Sequence, residues 1–208
     1  MAITGKKHKI LDASLRLFNE NGINNVRLQQ IADETGISVG NLAYHFNNKE
    51  AITKSLIANV ISPLQKTVKK QYGKFDSLND LDFFFKEFYE LCTIYRFFNF
   101  DILELKRNFP ALYELLQPLF NKVTHQLERR LELYVQQQLL SKESNIKNIA
   151  SNTWLLMFFL PVEAQVTGKS TISENQYRRR LWDYLMPYFT SEGSVEFNTT
   201  IALAFTSK

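Results

Sequence analysis

Between residues 38 and 49 the chain collects groups able to read a polar surface. They are the Ser38 hydroxyl, the Asn41 carboxamide, the Tyr44 phenol, the His45 imidazole and the Lys49 ammonium, with Val39 and Gly40 among them. Hydroxyl, amide and imidazole groups on one short stretch can hydrogen-bond base edges and phosphates. Catalytic parts are missing. His8, His45 and His125 lie far apart with no partners at metal-ligand spacing. Cys92 sits inside an aromatic stripe at helical spacing, which favours a buried inert thiol over a nucleophile. No glycine-rich phosphate loop follows a strand. The sequence therefore predicts a non-enzyme, with no catalytic residue, no metal and no cofactor.

The elements around that stretch explain how it would be presented. Ile10, Ala13, Leu15, Leu17 and Phe18 give a first helix over 6–21, closed by Asn21-Gly22. Leu28, Ile31 and Ala32, at i, i+3 and i+4, give a short second helix through Thr35. Gly36 and Ile37 form a turn, and Ser38 caps a third helix through about Tyr44. This is helix–turn–helix punctuation. Ala32 is small where two helices cross, Ile37 plugs the gap beneath the turn, and Leu42 and Phe46 face inward. Ser38, Gly40, Asn41, Tyr44 and His45 are left on or near the outward side. Gly40 would permit close backbone approach to a duplex. His45 is read as a phosphate or ring-packing contact, and Lys49 as a phosphate anchor or a solvated lysine. Lys6, Lys7 and Lys9 are read as a flexible arm attracted to phosphate.

These residues resemble the N-terminal domain of TetR-type transcriptional regulators. The matching positions are Gly22, Ile31, Ala32, Gly36, Ile37, Ser38, Gly40, Leu42, His45, Phe46, Lys49 and Glu50, within a stretch of about 8–56. Three positions depart from the family pattern. Its threonine pair before the second helix is Val26-Arg27 here, so a hydroxyl contact to phosphate is lost and Arg27 supplies a charged substitute. The tyrosine after Leu42 is Ala43, and the aromatic after the first glycine is Ile23. The resemblance implies a homodimer on a palindromic operator, an effector held in the C-terminal region, and repression relieved by ligand.

Whole-chain features agree with a basic module on an aromatic body. Residues 1–70 carry ten Lys and Arg against five Asp and Glu, while 71–208 carry fifteen against sixteen. Of 17 Phe, only Phe18 and Phe46 precede residue 71. Helical spacing continues from Lys49 to Tyr72, with a kink at Pro63, and over 78–95 and 97–108. It resumes in a long helix from Pro110, then over 146–167 and 173–190. Residues 191–208, rich in β-branched side chains and marked by glycine, read as an extended tail. The expected fold is all-α with about nine helices: a three-helix DNA-binding domain at 1–48, then an effector-binding and dimerisation bundle at 49–208.

Phe84, Phe88, Tyr95, Phe97, Phe109, Tyr113, Trp154 and Phe158 are the candidate lining of a pocket for a small apolar or aromatic effector. Arg96, Glu104 and Arg107 could tune it. Two helices apolar on more than one face suggest a dimer interface through Trp154, Phe159, Leu181, Trp182, Leu185 and Phe189. The longest apolar run, Trp154 to Val162, is about half of a membrane span. With no apolar leader and a single cysteine, the expectation is a cytoplasmic protein with no membrane partner. Two rival readings remain: a helical protein-interaction module, and a regulator whose aromatic interior is solid core.

Overall fold

Caps and apolar spacing set the helices. The computed structural model describes residues 5–70, 77–169 and 171–205, without the side chains of 67–70. Eleven α-helices lie among them: α1 (Gly5–Asn21), α2 (Leu28–Thr35), α3 (Val39–His45), α4 (Lys49–Lys70), α5 (Leu78–Ile94), α6 (Arg96–Phe100), α7 (Ile102–Asn108), α8 (Pro110–Gln136), α9 (Ile146–Val166), α10 (Glu174–Leu185) and α11 (Ser191–Thr200). Short 3-10 turns follow at Met186–Tyr188 and Ala202–Phe205. The only β interaction among the described residues is an isolated antiparallel bridge between Leu140 and Phe189. The protein is all-α. The last residues expected in α4, 71–72, lie outside the described residues.

Two corrections raise the expected nine helices to eleven. The helix expected over 97–108 breaks at Asp101, whose backbone (φ −104, ψ 17) leaves helical geometry between α6 and α7. Its carboxylate there accepts the Ile23 N–H at 2.7 Å. The supposed extended tail is instead α11 and a 3-10 turn, with 206–208 outside the described residues. Thr190 caps α11 by accepting the Gly193 N–H at 3.0 Å. Phe197 and Ile201, one turn apart, are buried, and Phe197 packs on Trp182 with ring centroids 5.4 Å apart. Packing thus overrides the weak helix propensity of the β-branched residues. A Cβ at Gly193 would stand 2.1 Å from the Leu139 carbonyl oxygen, so only glycine fits this close approach. The helix expected to reach Thr190 stops at Leu185, where Pro187 interrupts the donor series and a 3-10 turn takes over.

The chain divides into two compact units, Met1–Pro63 with Ile94–Gln117, and Leu64–Thr93 with Pro118–Lys208. The first is larger than the 1–48 segment expected from the sequence, because α6, α7 and the starts of α4 and α8 join α1–α3. Its core holds Ile10, Phe18, Ile23, Val26, Ile31, Leu42, Ile52, Leu56 and Phe97. The second unit is cored by Phe84, Phe85, Phe88, Leu131, Tyr134, Tyr177 and Trp182. A buried polar lock ties α5 to α10 within it. Arg178 Nε donates to Asp82 Oδ1 at 3.0 Å, Arg178 Nη2 to Asp82 Oδ2, Arg178 Nη1 to Glu174 at 3.0 Å, and Trp182 Nε1 to Asp82 Oδ1 at 2.8 Å. The Phe205 ring covers the guanidinium at 5.1 Å.

Candidate nucleic-acid interface

The α2–α3 pair is built by a short chain of local rules. α2 ends at Gly36 in the left-handed conformation (φ 69), whose N–H bonds the Asp33 carbonyl at 3.1 Å. The Ile37 N–H reaches the Ala32 carbonyl at 3.0 Å, and Ser38 Oγ accepts the Asn41 N–H at 3.2 Å to start α3. Ile31, Ala32 and Leu42 are wholly buried at the crossing, and Phe46 closes the end of α3. With Leu42 inward, the rest of α3 turns outward. Ser38, Gly40, Asn41, Ala43 and Tyr44 are exposed, and Val39 and His45 are half-buried.

Tyr44 is 86% exposed, the most exposed large apolar side chain among the described residues, and its ring stands edge-on to His45 at 5.2 Å. A ring presented this way contributes almost nothing to the core and is free to contact a partner. Gly40 points the same way. A Cβ there would meet nothing nearer than Ser38 Oγ at 3.9 Å, so the fold itself makes no demand for glycine.

The cations divide into outward and inward groups. Arg27 is exposed at the N-cap of α2, with its own N–H accepted by Gln30 Oε1 at 2.7 Å. The residue beside it, Val26, is buried, so the two positions that replace the family's threonines split into a core residue and an outward cation. Lys6, Lys7 and Lys9 are not a flexible arm: they occupy the first turns of α1, and Lys7 Nζ lies 5.7 Å from the Phe46 ring centroid. No acidic residue accompanies them in the first turn, so the positive end of the helix dipole and the lysines add. Lys49 differs from the sequence expectation. Its ammonium donates to the Ile23 and Val26 carbonyls at 2.7 and 3.1 Å, and reaches toward Asn24 at 3.4 Å. Burial holds its pKa below the usual lysine value. It is an internal strut. Arg16 is likewise occupied, paired with Glu34 at 2.8 Å.

The eight candidate effector residues fall into two groups, one in each unit. Tyr95, Phe97, Phe109 and Tyr113 belong to the first, where Phe97 packs edge-on against Phe18 at 5.9 Å and Tyr113 lies under Lys106 at 5.4 Å. Phe84, Phe88, Trp154 and Phe158 belong to the second. Trp154 stands 5.4 Å from Phe88 and 5.5 Å from Phe158. Phe120 joins them at 5.5 and 5.7 Å, a member the sequence reading missed. Also missed are two buried polar residues of α8, Gln126 and Arg130, the latter 5.3 Å from the Phe84 ring. Heptad-like apolar spacing hides such polar residues among core positions. Arg96 covers the Phe100 ring at 5.4 Å, and Glu104 and Arg107 pair at 3.1 Å.

Three of the six candidate interface residues require correction. Leu181, Trp182 and Leu185 are buried inside the chain's own core, Trp182 against Phe197 of α11. Trp154 and Phe189 are half-buried in ring contacts within the second unit. Phe159 is 45% exposed, and Leu155, one turn earlier on α9, is 51% exposed. No helix among the described residues is long and apolar enough to cross a membrane, and no group of three metal-ligating side chains occurs among them.

Comparison with known proteins supplies the family. Residues 10–56 match the model of the bacterial regulatory proteins of the tetR family, and residues 59–197 match a bacterial transcriptional repressor model. The HTH-type transcriptional regulator RutR of Escherichia coli K12 is 38% identical over 60 residues, 29% of this chain. That match spans 28% of the length of RutR. Among solved structures, a TetR-family regulator from Marinobacter aquaeolei VT8 aligns at a TM-score of 0.82 and 22% identity, over 95% of this chain and 97% of that one. A gamma-butyrolactone receptor described as ArpA-like aligns at 0.76 and 18% identity, over 98% of both chains.

Proposed function

The chain belongs to the TetR family of bacterial regulatory proteins, and we propose that it acts as a homodimeric repressor that reads a palindromic operator and is released by a small apolar or aromatic effector. The observation that carries this reading is α3. It is a capped helix whose inner side is sealed by Leu42 and Phe46 and whose outer side offers Ser38, Val39, Gly40, Asn41, Tyr44 and His45. Arg27 and the lysines of α1 supply phosphate contacts on either side of it. One such helix buries too little to bind tightly alone, and a two-fold pair spaced by one duplex turn, roughly 34–36 Å, doubles the contact. For pairing, α9 offers Leu155 and Phe159 at i and i+4, and their outward apolar surface is what a second copy would cover.

Release follows from population shift: an effector that binds one arrangement of the protein better than another withdraws it from the operator. Phe88, Phe120, Trp154 and Phe158 lie in mutual ring contact, and an apolar or aromatic ligand is the kind these side chains would line when they part. The gamma-butyrolactone receptor of the same fold is named for a small organic molecule. The test is the double substitution Tyr44→Ala with His45→Ala. Operator binding should be abolished, at least 100-fold weaker, while the dimer stays folded; undiminished binding overturns the assignment of α3. The 100-fold figure assumes about 1–3 kcal/mol for each lost contact in each half-site.

A further inference from the structure

The reading helices hang from a short turn, Gly22 to Val26, that carries α1 into α2. Two sets of side chains distant in sequence grip it. Lys49 takes its carbonyls, at Ile23, Asn24 and Val26. The α6–α7 segment takes its donors. The Ile23 N–H is accepted by Asp101 Oδ2 at 2.7 Å, and Asn24 Nδ2 donates to Glu104 Oε2 at 2.5 Å. Asn108 Nδ2 donates to Asn24 Oδ1 at 3.0 Å and to Glu104 Oε2 at 3.1 Å. Gly22 opens the turn in the left-handed conformation (φ 77), with the Asp101 carboxylate packed beside it.

The same segment is fastened to α1 just before the turn. Asn19 Oδ1 accepts the Phe97 N–H at 3.0 Å, and Asn19 Nδ2 donates to the Ile94 carbonyl at 2.9 Å. Asp101 sits half-buried beside Glu104, and both its burial and that neighbour raise its pKa while the Ile23 N–H lowers it. The carboxylate is thus kept in a costly place, and what it supplies there is a charged acceptor for one backbone N–H. Charged acceptors make the stronger hydrogen bonds.

We infer that Asp101, Glu104 and Asn108 are positioning residues for DNA reading: from α6–α7 they hold the α1–α2 turn, and through it the presentation of α2 and α3. The inference rests on the DNA-reading proposal above. α2 and α3 are locked to each other by the Gly36 turn and by Ile31 and Leu42, and the pair is held to α1 at the Arg16–Glu34 bridge and at the start of α2. That start is the gripped turn. A displacement of α6–α7 would reach Ile23 and Asn24 through these polar bonds, beside the apolar contact of Phe97 with Phe18. This makes the segment a place where occupancy elsewhere could register on the operator.

The experiment compares Asp101→Ala and Asp101→Asn in the full chain, using a duplex that the wild-type protein selects from a random-sequence pool. Asp101→Ala should weaken binding about ten-fold, as expected when a backbone donor loses a charged acceptor. Asp101→Asn, whose Oδ1 can still accept but without the charge, should fall between the two, about three-fold weaker than wild type. Amide exchange over 22–27 should quicken in the alanine variant, and the melting temperature should change little in both. Wild-type affinity in Asp101→Ala overturns the inference and leaves the DNA reading standing. So does an asparagine variant as weak as the alanine one. If Asp101→Ala fails to fold, Asn24→Ala removes the bonds to Glu104 and Asn108 from an exposed position. It should weaken binding about three-fold, and unchanged binding again overturns the inference. If the wild-type protein selects no duplex, the DNA-reading proposal falls and this inference falls with it.

Discussion

Tyr44 and Trp182 are both large aromatic residues on helices, and the molecule uses them in opposite ways. Tyr44 stands 86% exposed on a short helix in the first unit, and nothing in the core depends on it. Trp182 is wholly buried in the second, ringed by Phe85, Phe189 and Phe197 and hydrogen-bonded to Asp82. The first unit exposes its side chains from a frame fixed by local rules, namely a Gly36 turn, a Ser38 cap and an inward Leu42. The second unit buries its side chains in a frame fixed by contacts far apart in sequence. Substitutions should therefore move affinity in one place and stability in the other.

The largest expected effect falls on the buried side. Trp182→Ala deletes a ring from the core and leaves Asp82 without the indole donor. It should cost about 4 kcal/mol, lowering the melting temperature by roughly 10 °C or more. Operator affinity measured on the surviving folded fraction should match wild type. A stable Trp182→Ala protein would dissolve the contrast between the units, since it would mean the ring is no more structural than Tyr44.

The second effect tests the element that the sequence did not reveal. Gly193→Ala drives a methyl group into the Leu139 carbonyl, and either the start of α11 or the 139–140 segment must move. Overpacking of this kind costs about 1–3 kcal/mol. A differential scan should show the loss, with operator binding unaffected below the transition. An unchanged melting temperature would show that α11 is a loose appendage and no part of the second unit's frame.

That helix also marks where sequence reasoning stopped. Residues 22–50 were legible because each decision is local: the glycine, the cap and the apolar spacing all lie within a few residues of what they determine. The family pattern confirms the same positions. α11 carries local cues too, with Thr190 before Gly193 and Phe197 one turn from Ile201, but weak propensity masked them. What stabilises it is Trp182, and no spacing rule links the two. The sequence marks Lys49 as a phosphate anchor or a solvated lysine, neither of which fits its place; that three carbonyls converge on it is a property of the folded turn. The same holds for Asp101, whose partner Ile23 is 78 positions away. Leu181, Trp182 and Leu185 suggest an interface for the matching reason: their apolar spacing does not tell a face covered within the chain from one covered by a second copy.

The smallest expected effect is the sharpest, because it should separate the two quantities in sign. Gly40 is the second residue of α3, with open space where a side chain would go, the nearest atom being Ser38 Oγ at 3.9 Å. An alanine there removes the conformational cost of glycine in a helix and should stabilise the protein by about 0.5–1 kcal/mol. On the duplex the same methyl group would hold the backbone of α3 away from the surface it reads, so operator affinity should fall several-fold as the melting temperature rises. Stability and affinity can part in this way only if the glycine serves a partner outside the chain. A Gly40→Ala protein that is both more stable and fully competent for operator binding would show that α3 does not approach DNA along this face. The contrast between an outward-facing first unit and an inward-facing second one would then have to rest on Tyr44 and His45 alone.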